Sequence, residues 1–227
     1  MTNSTASVVP PQPDRLQERV WYVIVLIALV AAAWFLACLD WPLIWQAWPL
    51  LLQGLGVSFA LTGVSIMGGL VLGAALAAGR LSRFAVARYL SLAFIETVRA
   101  TPQLMVIFWI YFTYPAAAGH AMDAWTGAAV ALTLIAGAYL AEVIRGGLLS
   151  IPRVQTESGT LLGLSPSRIF LFILLPQACR NMLPALIGTV IAMFKTTSLV
   201  YVIGLVDFFR AVMIITNADS TRQCIEI

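Results

Sequence analysis

Two cations stand inside apolar stretches of this 227-residue chain and could bind an anionic ligand. Lys195 lies between Phe194 and Thr196 in an apolar run that contains no carboxylate. Arg99 follows Glu96 by three residues, a spacing that would place both side chains on one face of a helix. Because an ionisable group at bilayer depth is costly, it marks a ligand pathway or a pairing. A lysine and an arginine that faced one cavity would neutralise the carboxylates of an anionic ligand through charge-assisted hydrogen bonds.

Hydroxyl side chains accompany both cations along the chain. Thr101 follows Arg99 by two residues, and Thr197 and Ser198 come two and three residues after Lys195. Hydroxyl groups can donate and accept hydrogen bonds, so these three could orient a ligand whose charges the cations hold. The predicted substrate-binding residues are therefore Arg99, Thr101, Lys195, Thr197 and Ser198.

Each of two carboxylates stands three residues before an arginine, and both pairs have a purely structural alternative. Glu96 with Arg99 could form an internal ion pair that only fixes helix packing. Glu142 with Arg145 lies at the end of an apolar stretch, where we expect a pair that snorkels to the membrane edge. Pro102 would free a backbone carbonyl near Arg99, which a lined cavity could use. We therefore favour ligand contact for Arg99 but not for the second pair.

Composition indicates a membrane protein and excludes several kinds of function. Hydrophobic residues make up 61% and charged residues 10% of the sequence, at a mean hydropathy of +0.93, which is more apolar surface than a soluble domain of this length can bury. The basic residues are dispersed, which argues against nucleic-acid binding. The sequence holds no nucleophile with a base, no metal-spaced cluster and no phosphate-binding glycine loop, so we predict no enzyme, cofactor or metal site. The isolated candidates without a predicted role are Cys38, Cys179, Cys224 and His120.

Apolar stretches of about 20 residues, enough to cross a bilayer core of roughly 30 Å, recur along the chain. We predict an all-α, polytopic membrane protein with about five spans. Three tryptophans and two prolines after the first span are typical of an interfacial connection. The predicted spans are 20–39, 55–78, 90–114, 125–144 and 183–206, and the predicted connection contains Trp41, Pro42, Trp45, Trp48 and Pro49.

Arginines are concentrated in alternate segments between these spans, and this distribution predicts the orientation in the membrane. They stand before the first span, after the second and after the fourth, which places these segments and the N-terminus in the cytoplasm. The connection 115–124 on the opposite side holds no lysine or arginine. A cleaved signal peptide is the alternative for the first span, but its apolar run is longer than usual and follows a proline-rich tail. The arginines on the predicted cytoplasmic side are Arg15, Arg19, Arg80, Arg83, Arg88, Arg145, Arg153, Arg168 and Arg180.

The longest segment outside the predicted membrane is 145–180, which Pro152, Gly163 and Pro166 divide into short helices. Glu157 would lie near the start of one helix, where the dipole favours a carboxylate, and Gly163 would end it. Pro166 would occupy the first position of the next helix. The pattern indicates a docking segment, and an interfacial helix without a partner is the alternative. The apolar surface available for docking contains Phe170, Leu171, Ile173 and Leu174, with Arg168 at its edge.

Motifs in and around this segment resemble those of one known family. Glu157-Ser158-Gly159, then Gly163, then Ile173-Leu174-Leu175-Pro176 resemble the EAA loop of permease subunits of ATP-binding cassette importers, with serine and glycine in place of two alanines. The polar amino-acid branch of these permeases is similar over about residues 54–215. The motifs that carry this second resemblance are Glu96-Thr97-Val98-Arg99-Ala100-Thr101-Pro102, Ala138-Tyr139-Leu140-Ala141-Glu142-Val143-Ile144-Arg145-Gly146-Gly147, Ile151-Pro152, Pro176-Gln177-Ala178, Leu183-Pro184 and Lys195-Thr196-Thr197-Ser198-Leu199.

The resemblance implies a type-1 permease fold in the bacterial inner membrane and an ATP-driven import function. It implies three protein partners: a cytoplasmic ATP-binding cassette ATPase, a second permease subunit, identical or paired, and an external amino-acid-binding protein. The stretch from Lys195 to Arg210 is most similar to glutamate and aspartate permeases, which makes an acidic amino acid the expected substrate. The residues expected to couple the permease to the ATPase are Glu157, Gly163, Arg168, Ile173 and Pro176.

Three departures from the family pattern shape the expected domains. The tail 1–19 and the segment 20–49 look like additions to a permease domain at 50–227, whose coupling loop covers 145–182. Thr196 stands where the family usually has aspartate. The chain ends at Ile227 without the usual last span, from which we expect a C-terminally truncated form. Two alternatives remain open at this stage: a secondary transporter driven by an ion gradient, and a truncated permease that does not transport but assembles or regulates.

Overall fold

The computed structural model describes residues 15–37 and 41–225, and every regular element within them is helical. The prediction of an all-α protein is confirmed for these residues. Expectations for the tail 1–14, residues 38–40 and the chain end at 226–227 lie outside them. The elements are α1 (Arg15–Ala37), α2 (Trp41–Leu81), α3 (Ala85–Ala100), α4 (Gln103–Ala118), α5 (Ala124–Leu149), α6 (Val154–Leu161), α7 (Pro166–Arg168), a π-helical segment (Ile169–Leu174), α8 (Leu175–Thr196), a 3-10 segment (Thr197–Ile203) and α9 (Phe208–Ile225).

Four helical stretches in the described part are long and apolar enough to cross a membrane, and a bent helix pair could form a fifth span. The predicted number of about five spans is confirmed in this sense. α1 supplies the first, and its apolar side chains are exposed on all sides, as lipid contact requires. α1 belongs to one compact unit, Met1–Ala47, and the rest of the chain forms a second, Trp48–Ile227.

α2 starts at Trp41, so the stretch 41–49, predicted as an interfacial connection, is helical and continuous with the following span. Pro42 is the second residue of the helix, where a missing backbone N–H costs no hydrogen bond. Pro49 lies inside the helix and removes one hydrogen bond without ending it. With 41 residues at 1.5 Å each, α2 extends about 61 Å, roughly twice the bilayer core.

α2 and α5 pack closely and run in the same direction. A Cβ atom added to Gly69 of α2 would lie 2.7 Å from Ala136 Cβ, and one added to Gly73 would lie 3.0 Å from the backbone nitrogen of Ala141. The residue numbers of the contacting positions increase together along both helices, which shows that α2 and α5 are parallel. Small residues allow this approach, as is common between membrane helices.

The chain returns between these two parallel helices through a broken span. The sequence predicts one span at 90–114, but the structure has two helices, α3 and α4, which meet at an angle of 108°. Thr101 between them is extended, with φ −84° and ψ 135°. A residue before proline is disfavoured in the helical region, so Pro102 explains why the helix stops here.

α5 forms the centre of the second unit. It begins after Asp123, whose carboxylate accepts a hydrogen bond of 2.9 Å from the backbone N–H of Thr126. This hydrogen bond lowers the pKa of Asp123. The buried core around α5 contains Leu61 from α2, Ile107 from α4, Leu132, Ile135 and Leu140 from α5, Met193 from α8 and Val200 from the 3-10 segment.

The fifth predicted span, 183–206, is part of a longer helical stretch. Helical structure continues from Pro166 to Ile203, 38 residues in all, through α7, the π-helical segment, α8 and the 3-10 segment. The predicted docking helix after Pro166 is therefore not separate from the span. Lys195, expected near the middle of the span, lies in the last turn of α8.

Candidate functional site

A hydrogen bond joins the two places where the helices of the bundle break. Thr196, the last residue of α8, is buried, and its Oγ1 lies 2.9 Å from Oε1 of Gln103, the first residue of α4. The same hydroxyl lies 2.9 Å from the carbonyl oxygen of Ala192. The break between α3 and α4 and the change from α8 to the 3-10 segment therefore lie in contact.

The two cations predicted from the sequence flank this contact. Arg99 is four residues before Gln103, and Lys195 is directly before Thr196. Both side chains are exposed, and within the described ranges neither forms an ion pair. The guanidinium of Arg99 lies 5.6 Å from the ring centroid of Tyr139, a cation–π geometry.

The three predicted hydroxyl residues donate to the backbone of their own helices. Thr101 Oγ1 donates to Thr97 O at 2.8 Å, Thr197 Oγ1 to Phe194 O at 2.8 Å and Ser198 Oγ to Lys195 O at 2.7 Å. Their oxygens remain able to accept a hydrogen bond. Thr197 is buried, whereas Thr101 and Ser198 are half-buried. In this conformation, Thr101 and Ser198 are therefore the more accessible of the three.

Sequence reasoning missed Gln103 as a member of this site. The residue is half-buried, and its side-chain oxygen faces Thr196. Its amide group carries two further donors. A polar residue directly after Pro102 in an apolar run is a signal that could have identified it.

A cavity of about 730 Å³ lies inside the bend of α3 and α4, but its lining is apolar. Thr97 and Thr101 contribute to its wall, and neither Arg99 nor Lys195 does. The rest of the wall includes Leu76, Leu90, Phe94 and Trp109. The cavity within this single chain therefore suits hydrocarbon better than a charged amino acid.

Charged side chains meet at the end of the bundle where α2 and α5 finish. Glu142 Oε1 contacts Nη1 of Arg80, while Glu142 Oε2 accepts hydrogen bonds from Arg145 Nε at 3.3 Å and Nη2 at 3.0 Å. Glu96 Oε1 lies 4.0 Å from Arg80 Nη1. The expected pair of Glu142 with Arg145 is confirmed. The alternative pair of Glu96 with Arg99 is wrong, because Glu96 faces Arg80 and Arg99 lies over Tyr139.

α6 and the turn after it protrude at the same end of the bundle. Glu157 is in the first turn of α6 and exposed, as predicted. Gly163 follows the helix with φ +74°, a left-handed conformation that glycine adopts without strain, so its predicted role in ending the helix is confirmed. Leu161 and Leu162 between them are 88% and 77% exposed, which sequence reasoning missed.

The remaining predicted coupling residues differ in their accessibility. Arg168 and Pro166 lie in α7, with Pro166 at the predicted first position, and Arg168 is exposed. Pro176 is exposed at the start of α8. Ile173 is half-buried and contacts α6: a Cβ added to Gly159 would lie 3.4 Å from its Cδ1. Ile173 therefore supports α6 and contributes little to an outward surface.

Side chains tie the two ends of this protruding segment together. Asn181 of α8 donates a hydrogen bond of 2.8 Å to Oγ of Ser150, the residue that ends α5. Gly147 packs against Met182 so closely that an added Cβ would lie 2.2 Å from its Cγ. These contacts lie at the two ends of the predicted coupling loop, 145–182.

The described residues hold no group of three or more histidine, cysteine, aspartate or glutamate side chains that could bind a metal ion. Their arrangement defines a multi-pass helical membrane protein with broken helices in the bundle and a protruding loop at one end.

Comparison with known proteins places the chain in a family. Residues 69–221 match the model of the binding-protein-dependent transport system inner membrane component. The glutamate/aspartate import permease protein GltK of Escherichia coli strain CFT073 is 35% identical over 81% of this chain and 85% of its own. The glutamine transport system permease protein GlnP of E. coli K12 is 39% identical over 75% of this chain and 78% of its own.

A solved structure agrees with these relatives. The crystal structure of an amino acid ABC transporter with histidines matches with a TM-score of 0.75 and 30% identity, over 80% of this chain and 85% of that one. The chain therefore belongs to the family of binding-protein-dependent transport system inner membrane components, the type-1 permease subunits of ABC importers. It is a multi-pass protein of the inner membrane and a transport component, not itself an enzyme. The family implies an ATPase and a binding protein as partners.

Proposed function

We propose that this chain forms the translocation pathway of an ATP-driven importer for a polar amino acid, with glutamate or aspartate as the first candidates. The relatives named above for glutamate/aspartate and glutamine transport support this substrate class. The chain pairs with a second permease, identical or different, and receives substrate from a binding protein outside the membrane. Its N-terminus and coupling loop face the cytoplasm, in accord with the distribution of arginines.

One observation carries the proposed binding site: the Thr196–Gln103 contact brings two helix breaks together, and the cation beside each break forms no ion pair with the described part of the chain. Broken helices at membrane depth are tolerated where they line a cavity or are buried in protein. An exposed cation in a membrane protein needs a partner, which a carboxylate ligand between two permease subunits would supply. Arg99 and Lys195 therefore bind the substrate carboxylates.

The hydroxyl residues complement these cations. The hydroxyl protons of Thr101 and Ser198 are given to backbone carbonyls, so their oxygens act as acceptors. An amino acid presents an ammonium group as a donor next to its carboxylate. Thr101 and Ser198 accept from this ammonium group, and Thr197 supports the 3-10 segment that presents Ser198.

The coupling loop transmits ATP binding to the pathway. The cytoplasmic ATPase receives α6, whose exposed residues Glu157, Leu161 and Leu162 provide an acidic edge and an apolar tip. Arg168 and Pro176 lie at the margins of this surface. When the ATPase subunits close, the loop moves with them and the helices that carry Arg99 and Lys195 alternate between outward and inward openings.

The test is uptake by proteoliposomes that contain this chain, the second permease where it differs, the ATPase and the binding protein. Radiolabelled glutamate, aspartate and glutamine are compared with and without ATP inside the vesicles. We expect uptake only with ATP and competition by unlabelled acidic amino acids. Uptake that persists without ATP but disappears when the ion gradient is collapsed would identify a secondary transporter. If the assembled complex carried no amino acid, the non-transporting alternative would stand.

A further inference from the structure

We propose that Arg80 is a positioning residue that couples movement of the coupling loop to the helix that carries Arg99. This inference rests on the proposed function and gives a role in coupling to a residue that the sequence patterns used only to predict orientation. Arg80 lies in the last turn of α2, and its guanidinium reaches both α3 and α5.

The guanidinium of Arg80 is the shared member of two ion pairs. It contacts Glu142 of α5 and lies 4.0 Å from Glu96 of α3. The side chains of Arg80 and Glu142 are 20% and 19% exposed, whereas Glu96 is 58% exposed. Partial burial strengthens the pair of Arg80 with Glu142 relative to a surface pair, because water and salt screen it less.

Glu142 also belongs to the end of α5 that the coupling loop holds. Two turns further along α5, Ser150 accepts the hydrogen bond from Asn181, and Gly147 packs against Met182. Glu142 lines the groove of about 550 Å³ between these parts of α5 and α8. Displacement of the loop therefore moves the segment of α5 that carries Glu142.

The connection continues along α3. Glu96 precedes Arg99 by three residues, so one turn of helix separates the ion pair from a proposed substrate contact. The break at Thr101 and Pro102 ends α3 just beyond Arg99, so Arg99 lies in the last turn of α3. The path from loop to substrate thus runs through Glu142, Arg80 and Glu96.

The charges around Arg80 indicate that its two ion pairs can be removed without unfolding the bundle. Removal of the Arg80 charge leaves Glu142 paired with Arg145, so no buried carboxylate loses its last partner. Glu96 is mostly exposed and can be hydrated. The variant Arg80→Gln should therefore lose the ion-pair link between α3 and α5 while the helices remain in place.

The experiment measures substrate molecules imported per ATP hydrolysed by the reconstituted complex. We expect Arg80→Gln to lower this ratio at least fivefold while the ATPase still copurifies, because the ion pairs no longer transmit the movement of α5 to α3. Arg80→Lys keeps the charge and should recover at least half of the ratio. The matched control is Arg83→Gln, which removes an exposed arginine three residues away and should leave the ratio unchanged.

A purely structural role would lower uptake and ATP hydrolysis together, without changing the ratio, and would overturn the inference. An equal fall in Arg83→Gln would also overturn it. If Arg80→Gln did not assemble, Glu96→Gln decides, since it leaves Arg80 with Glu142: a lowered ratio supports the link, and the wild-type ratio refutes it. Failure of the wild-type complex to import with ATP would instead contradict the proposed function.

Discussion

Thr196 Oγ1 lies 2.9 Å from Gln103 Oε1, although the two residues are 93 positions apart in the chain. The contact holds the end of α8 against the start of α4. Lys195 directly precedes Thr196, and Arg99 of α3 stands four residues before Gln103, across the break between α3 and α4. The separation of the two cations therefore depends on this contact. A substrate that bridges the cations should therefore respond to loss of this hydrogen bond.

Replacement of Thr196 by valine tests this dependence. Valine has nearly the same shape but no hydroxyl, and a typical hydrogen bond contributes about 0.5–1.5 kcal/mol, so we expect KM for uptake to rise roughly 2- to 10-fold. The concentration dependence of ATP-driven uptake gives KM, and Thr196→Ser, which keeps the hydroxyl, should behave like the wild type. An unchanged KM in the valine variant would show that this hydrogen bond does not contribute to substrate binding.

Reversal of the charge at Lys195 should abolish the uptake of acidic amino acids. Lys195→Glu places a carboxylate opposite the substrate carboxylate. The milder Lys195→Gln removes one charge-assisted hydrogen bond of about 1.5–3 kcal/mol, which corresponds to a roughly 10- to 100-fold loss of affinity. Association with the ATPase, measured by copurification in detergent, should not change.

Lys195→Arg is the control for this prediction because it keeps the positive charge on a side chain of similar length. We expect it to retain substantial uptake. Wild-type uptake by Lys195→Glu would exclude Lys195 from the pathway, whatever its exposure in the single chain.

The sequence predicted those features that depend on local chemistry. The left-handed turn at Gly163 follows from the conformational freedom of glycine, and the start of α7 at Pro166 follows from the missing N–H of proline. The pair of Glu142 with Arg145 also follows from spacing on one helix. Each is decided within about one helical turn.

Features that depend on contacts between distant segments could not be predicted. Arg99 stands three residues after Glu96 in the sequence, but in the fold Arg80 of α2 is the ion-pair partner of Glu96. Rules for spacing along one helix cannot predict a partner on another helix. Pro102 indicated a break in the helix but not a bend of 108°, and it could not show that α3 and α4 both pack against α5. Pro49 was interpreted as part of a connection, although a proline inside a long, packed helix need not end it.

Close packing of α2 on α5 predicts a sharp difference between two glycines of the same helix. Gly69→Leu places a large side chain against Ala136, where even a Cβ would lie at 2.7 Å, whereas Gly63 has no atom within 4 Å of such a Cβ. We expect Gly69→Leu to destabilise the fold by about 1–3 kcal/mol or more. Thermal unfolding in detergent measures the difference, and Gly63→Leu is the matched control. Equal stability of the two variants would contradict the packing.

The turn after α6 should tolerate only residues that accept a positive φ. Gly163 has φ +74° and no neighbouring atom within 4 Å of an added Cβ, so strain rather than crowding limits substitution. Gly163→Val should cost about 1–2 kcal/mol or more and weaken ATPase binding, whereas Gly163→Asn should be milder because asparagine visits this region. Copurification of the ATPase compares them, and equal binding by both variants would show that the turn conformation does not matter.

The apolar tip of the coupling loop should provide most of its affinity for the ATPase. Leu161 and Leu162 are 88% and 77% exposed, and burial of a leucine side chain contributes about 1.5–3 kcal/mol. Replacement of both by serine should therefore weaken ATPase binding by at least tenfold, as measured by titration of detergent-solubilised permease with the ATPase. Replacement of both by methionine, which keeps the apolar surface, should preserve binding. Because the two side chains are exposed in the free chain, the serine variant should fold normally. Unchanged affinity of that variant for the ATPase would show that the ATPase binds a surface other than Leu161 and Leu162.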